Sequence, residues 1–109
     1  MTDQADHFHP RRRLPDRRPS QTFRFNCAGL DYTATVSYFE DGRLGEIFLS
    51  NHKAGSAADT AARDAAIATS LALQFGCPAE MLRRALCRDG SGKASGPLGT
   101  ALDMLAVLE

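Results

Sequence analysis

Apolar and polar residues alternate with a period of two in three consecutive stretches of the chain. In the first stretch Phe23, Phe25 and Cys27 share one face, and in the second Tyr32 and Val36 lie on the corresponding face. A period of two with β-branched and aromatic residues is typical of half-buried β-strands. The predicted strands cover residues 22–27, 31–39 and 44–50.

Glycines lie between these stretches. Gly29 is placed at the first turn, and Asp41-Gly42 occupies the second. Asp-Gly favours the left-handed backbone angles of a type I′ hairpin. The pattern therefore predicts a three-stranded antiparallel meander.

The period changes to that of a helix after residue 55. Ser56 and Asp59 form a variant of the capping box, which predicts a helix to about Phe75, and Gly76 then ends it. Pro78 and Pro97 suit the first positions of two further helices, the first of which is expected to end around residue 88. The predicted fold class is α+β with the order βββααα, and the helices cover one face of the sheet.

The N-terminal segment differs in composition from the rest of the 109 residues. It carries five arginines against three aspartates and few large apolar residues, so residues 1–21 are predicted to be a disordered basic tail, and 22–109 one domain. A core of roughly 88 residues is small, which favours self-association or docking on another protein.

Bulk properties exclude several function classes. The formal net charge is zero, which does not favour nucleic-acid or membrane binding, although the basic tail leaves open a nucleic-acid adaptor. No stretch has the length and apolarity of a membrane span or a secretory signal, so a cytoplasmic location is expected. Three widely spaced cysteines fit neither a disulfide framework nor a zinc site, and no metal site is predicted.

A polar loop between the third strand and the first helix is the first candidate contact surface. Asn51, His52, Lys53 and Ser56 lie where free N–H groups of the helix can bind an anion or a partner's carboxylate. No nucleophile or carboxylate accompanies His52 by local spacing, so a catalytic role is not predicted. Next on the helix come the adjacent charges Arg63 and Asp64, of which one is expected to face a polar partner, as an ion pair, as a cap to a neighbouring loop or in a contact with another subunit.

A glycine-rich loop, residues 89–99, is the second candidate. It contains Lys93 and Ser95 before a helix, which are ingredients of a phosphate cradle. Cys87 and Ala94 stand where a Walker A loop needs Gly and Ser or Thr, so a flexible connector remains the alternative.

Four ordered blocks of the chain carry a family resemblance. The blocks are RPSQTFRF at 18–25, GRLGEIFLSNHKAGS at 42–56, ARDAAIATSLALQFG at 62–76 and ALCRDGSGKASGPLGTALD at 85–103. Together they resemble the TSCPD domain, found at the C-terminal side of adenosylcobalamin-dependent (class II) ribonucleotide reductases and also as free-standing short proteins. The resemblance covers nearly the whole predicted domain.

The resemblance implies a context in deoxyribonucleotide synthesis, with a reductase subunit as the expected protein partner. Adenosylcobalamin belongs to the full-length family enzyme, whose catalytic barrel 109 residues cannot contain, so no cofactor is expected in this chain. The chain is therefore expected to be an accessory or docking domain that is not catalytic alone. A small nucleotide- or anion-binding module is the alternative.

The family's name-giving signature is only partly present. Where the family has Thr-Ser-Cys-Pro-Asp, this chain has Ala94, Ser95, Gly96, Pro97 and Leu98. The lost thiol and carboxylate are the groups that would ligate a cation or exchange electrons. No catalytic residue is predicted here.

Overall fold

The computed structural model describes residues 10–108. A three-stranded antiparallel sheet in the order β1-β2-β3 precedes three helices, which confirms the predicted α+β fold. The elements are β1 (Ser20–Cys27), β2 (Leu30–Tyr38), β3 (Leu44–Asn51), α1 (Ala57–Gln74), α2 (Ala79–Ala85) and α3 (Pro97–Leu108). Within residues 10–108, none of the helices combines the length and the apolar character needed to cross a lipid bilayer.

The core lies between the inner face of the sheet and the helices. Alternate residues of each strand point inward, as the period of two predicts, and Val36 and Ile47 are fully buried. They pack against small and branched side chains of α1 and α3, which let the helices approach closely. The core cluster contains Phe25, Cys27, Tyr32, Ala34, Val36, Ile47, Leu49, Ala62, Ala66, Leu98, Ala101, Leu102 and Leu105.

The turn between β2 and β3 differs from the prediction in type. The type I′ assignment at Asp41-Gly42 is wrong, because Gly42 has a φ of 89° whereas Asp41 is not among the residues with positive φ. The N–H of Gly42 instead bonds to the carbonyl of Phe39 at 2.9 Å, which makes a three-residue loop with one left-handed glycine. The pair of positive φ angles lies between β1 and β2, at Ala28 (52°) and Gly29 (80°).

Helix ends follow local capping chemistry, with one shorter helix than predicted. Gly76 at φ 102° ends α1, and the N–H of Cys77 bonds to the carbonyl of Ala72 at 2.9 Å, as in a Schellman motif. Helix α2 was predicted to reach residue 88 but ends at Ala85, because Leu86 adopts an extended backbone with a ψ of 157°.

Part of the predicted basic tail contacts the domain. Ser20 and Gln21 already belong to β1. Upstream of them, the N–H of Arg12 bonds to the carbonyl of Gln74 at 2.7 Å, and its guanidinium lies 4.1 Å from the centroid of the Phe39 ring. Residues 10–19 therefore lie against the end of α1 and the β2–β3 hairpin. Residues 1–9, the rest of the predicted tail, lie outside the described residues.

Helix α1 runs along the outer edge of β3 and supplies several of the hydrogen bonds that a neighbouring strand would otherwise make. The Ser70 hydroxyl accepts from the Ile47 N–H at 2.9 Å and donates to the Ile47 carbonyl at 3.0 Å. Gln74 Nε2 donates to the Gly45 carbonyl at 3.1 Å. With Asp59, which accepts from the last residue of β3, these side chains form an edge clamp (Asp59, Ser70 and Gln74). The clamp closes this edge of the sheet to further pairing.

Candidate functional site

The loop between β3 and α1 is a folded corner held by short-range hydrogen bonds. Asn51 Oδ1 accepts from the Lys53 N–H at 2.9 Å, and the Lys53 carbonyl accepts from the Ser56 hydroxyl at 2.7 Å. Ser56 is the N-cap of α1, where its hydroxyl accepts from the Asp59 N–H at 3.1 Å, as the capping prediction requires. Asn51 Oδ1 and the Ser56 hydroxyl therefore shape this corner, while Asn51 Nδ2 is buried without a hydrogen-bond partner among the described residues.

Asp59 is the centre of the corner. Its carboxylate accepts from the N–H groups of Asn51 and Gly55, at 2.9 and 3.1 Å, and from Arg63 Nε at 2.9 Å. The backbone donor of Asn51, followed by that of Gly55 and by Arg63, holds the pKa of Asp59 below its usual value. Because this buried carboxylate already faces the N-terminus of α1, an incoming anion would meet a negative charge there.

The other predicted residues of this corner are exposed. The His52 N–H bonds to the Asp31 carbonyl at 2.9 Å, and its ring Nδ1 lies 3.2 Å from the same oxygen. Lys53 and Asp64 are exposed to solvent. Of the two adjacent charges, Arg63 forms an ion pair with Asp59, four residues earlier on α1, at 2.9 Å.

The glycine-rich loop is also closed by its own carboxylate. Asp89 Oδ1 accepts from the N–H groups of Ser91 and Lys93, at 2.9 and 3.1 Å, and from the Ser91 hydroxyl at 2.7 Å. These donors, the Ser91 hydroxyl first, lower the pKa of Asp89. The amides that a phosphate would need are therefore engaged, and the Lys93 side chain is left exposed.

The base of this loop is fixed by a cluster of charges. Arg88 forms two hydrogen bonds to the Asp103 carboxylate, at 2.7 and 2.8 Å, and Arg83 bonds to Asp103 at 3.0 Å. Ser95 joins the loop to the sheet, because its carbonyl accepts from the Cys27 thiol at 3.8 Å. The geometry is that of a tethered loop, which disfavours the flexible connector expected from composition.

An exposed apolar surface next to the corner is the feature that the sequence reasoning missed. Phe48 on β3, Ile67 and Leu71 on α1, and Phe75 at the C-cap of α1 are exposed by 53, 55, 41 and 41%. Ile67, Leu71 and Phe75 follow each other at intervals of four and therefore lie along one side of the helix. Phe48 and Ile67 line one depression of about 430 Å³, together with Arg63. We call these four side chains the apolar ridge.

The interval of four in α1 is visible in the sequence and could have located most of this ridge. An apolar line on a helix ordinarily packs into a core, so the pattern by itself predicts that these residues are buried. Here the edge clamp turns Asp59, Ser70 and Gln74 towards the sheet, and the apolar line faces outward.

Two clefts among the described residues are small for adenosylcobalamin, which the resemblance assigns to the full-length family enzyme. One surface depression near the corner measures about 580 Å³ and is lined by Arg24, Asn26, Asp31 and His52. A second cleft, apolar and about 300 Å³, lies between α1 and Pro97. Clefts of this size suit ligands much smaller than a corrinoid. Residues 10–108 also contain no cluster of three His, Cys, Asp or Glu side chains that could hold a metal ion.

Comparison with known proteins gives a partial match. No family model matches the chain, and no solved structure matches it. The chain is 41% identical over 68 residues to the vitamin B12-dependent ribonucleotide reductase of Bradyrhizobium diazoefficiens and 41% identical over 70 residues to that of Agrobacterium fabrum. It is 40% identical over 76 residues to the enzyme of Rhodopirellula baltica.

These matches cover most of this chain and little of each relative. They include 62, 64 and 69% of the chain, and only 5, 6 and 7% of the length of the respective reductases. Over 62–69% of its length, the chain is therefore homologous to a small segment of vitamin B12-dependent ribonucleotide reductases.

Proposed function

We propose that this chain is an accessory domain of the TSCPD type that docks on a vitamin B12-dependent ribonucleotide reductase in the cytoplasm and is not catalytic alone. Two facts support the proposal. The homologous segment is part of a much longer enzyme in each of these relatives, where it is covalently joined to the rest of a reductase. The chain also has a surface suited to contact with a protein.

The apolar ridge is the observation that carries the docking role. Monomeric proteins expose few contiguous apolar patches, and such patches mark interaction sites. The ridge has a polar border, because the Arg63 side chain is 57% exposed and only its Nε bonds to Asp59. An apolar centre with an arginine at its border is the usual composition of a protein interface.

A single charged substitution on the apolar ridge tests the docking surface. Ile67→Asp places a carboxylate on the ridge, and burying that charge against a partner is expected to weaken binding about 30-fold or more. We would measure the dissociation constant by calorimetry with the purified reductase from the same genome. Val107→Asp is the matched control, since Val107 is 85% exposed on α3, and its affinity is expected to stay within about twofold.

Three results would contradict the proposal. The first is the absence of binding by the wild-type chain, and the second is equal affinities of the Ile67→Asp and Val107→Asp variants. The third is turnover of a ribonucleotide by the purified chain with adenosylcobalamin and a dithiol but no reductase.

A further inference from the structure

The two edges of the sheet differ in how far their backbone groups are hydrogen-bonded. The β3 edge is closed by the edge clamp, whereas no helix side chain among the described residues bonds to the backbone of β1.

The pairing register of β1 with β2 shows which backbone groups of β1 are free. The Tyr38 N–H bonds to the Pro19 carbonyl at 3.0 Å, and from there Gln21 pairs with Val36 and Phe23 with Ala34. Odd-numbered residues therefore turn their backbone groups towards β2.

Even-numbered residues of β1 consequently point their N–H and C=O groups away from the sheet. These residues are Ser20, Thr22, Arg24 and Asn26, and all four are exposed. Among residues 10–108, no hydrogen bond to these backbone groups is made from outside the sheet. The four N–H and four C=O groups of these residues are therefore unpaired along the β1 edge.

The strand lacks the features that protect natural edges. It is eight residues long, contains no proline, and pairs with β2 without a bulge. Arg24 is its single charge. Long, regular edges of this kind are templates for another strand.

We propose that a second copy of this chain pairs with this edge, β1 against β1 in antiparallel orientation, to form a continuous six-stranded sheet. A two-fold axis makes the pairing of the two β1 strands symmetric, so each possible register can be checked from the sequence of β1 alone. When Phe23 lies on the axis, Thr22 faces Arg24 of the other copy and Ser20 faces Asn26. All four even-numbered residues then make both of their backbone hydrogen bonds.

Neighbouring registers are poorer. A shift that puts Thr22 on the axis leaves Asn26 without a partner, and a shift that puts Arg24 on the axis sets two like charges opposite each other. Only the register centred on Phe23 pairs the whole edge and keeps the arginines apart. It also brings the two half-buried Phe23 rings together at a non-hydrogen-bonded position, where side chains of paired strands lie closest.

The register makes a charge-dependent prediction. Thr22 and Arg24 face each other twice across the axis, so Thr22→Glu is expected to tighten the dimer about fivefold and Thr22→Lys to weaken it by a similar factor. Combining Thr22→Lys with Arg24→Glu is expected to restore the affinity. Thr35→Lys is the matched control, because Thr35 lies beside Thr22 on the same sheet face but on the central strand.

Sedimentation equilibrium of the full chain over a concentration series measures these affinities, and circular dichroism checks that each variant is folded. The expected result is a monomer–dimer equilibrium between 11.8 kDa and twice that mass, which responds to Thr22 and not to Thr35. A chain that stays monomeric at all concentrations overturns the proposal. So does a dimer that is unchanged by Thr22→Lys or is broken by Ile67→Asp, since the copies would then meet elsewhere.

Discussion

Replacing Ser70 with alanine is expected to lower the free energy of unfolding by about 2 kcal/mol. The Ser70 hydroxyl bonds to both the N–H and the carbonyl of Ile47, which are buried, and alanine leaves both groups without a partner. Adding Gln74→Ala, which frees the Gly45 carbonyl, is expected to bring the loss to roughly 3 kcal/mol. Since small domains have total stabilities of about 5–15 kcal/mol, either loss is readily measured by urea unfolding.

Thr60→Ala is the matched control for this prediction. Thr60 lies on the same helix, is exposed, and its side chain makes no hydrogen bond within the described residues. Its removal is expected to change the unfolding free energy by no more than about 0.5 kcal/mol. If Ser70→Ala and Thr60→Ala have equal effects, helix α1 does not hold the β3 edge in the way described.

Stability is expected to fall steeply as the pH drops from about 4.5 to about 2. The pKa of Asp103 is lowered to about 2, chiefly by the hydrogen bond from Arg88, and that of Glu80 is lowered to about 2 by Arg83 and then Arg84. A carboxyl group with a lower pKa in the folded chain stabilises the fold while it is charged. This stabilisation is complete above the pKa of the unfolded chain and is lost as the pH falls through the folded value.

The urea midpoint at a series of pH values tests this expectation. Asp103→Asn removes one of the groups, so the midpoint of this variant is expected to be lower at pH 6 and to fall less between pH 4.5 and 2. Asp64→Asn serves as the control, because Asp64 is exposed on α1 and forms no ion pair within residues 10–108. Parallel curves for wild type and Asp103→Asn would show that the α2–α3 charge cluster does not contribute to the pH dependence.

The strands and helices follow from local patterns, and this is why they could be predicted. Alternation around Tyr32 and Val36, the Ser56 cap and the Gly76 stop are each determined by a few neighbouring residues. The type of the β2–β3 turn could not be predicted, since Asp41 uses its carboxylate to accept from the Arg43 N–H at 3.0 Å and keeps a negative φ. The type of this turn therefore depends on the side chains around it as well as on the Asp-Gly dipeptide.

The candidate site was less accessible to sequence reasoning because it depends on tertiary contacts. Asp59 was recognised as a cap, yet its contact with Asn51 joins two elements, and Ser70 gives no local sign of meeting β3. The apolar line that includes Ile67 is the same pattern whether it faces a core or solvent. The rotation of α1 about its axis decides between these outcomes. That rotation is fixed by the edge clamp, which turns Asp59, Ser70 and Gln74 towards the β3 edge.

Photo-cross-linking from the ridge tests the docking account most directly. The chain is prepared with the photo-cross-linker benzoylphenylalanine in place of Phe48 or, separately, in place of Val107, and is irradiated with the reductase from the same genome. If the chain docks through the apolar ridge, a covalent adduct with the reductase forms from position 48 and none forms from position 107. An adduct from position 107 alone, or from neither position, would contradict it.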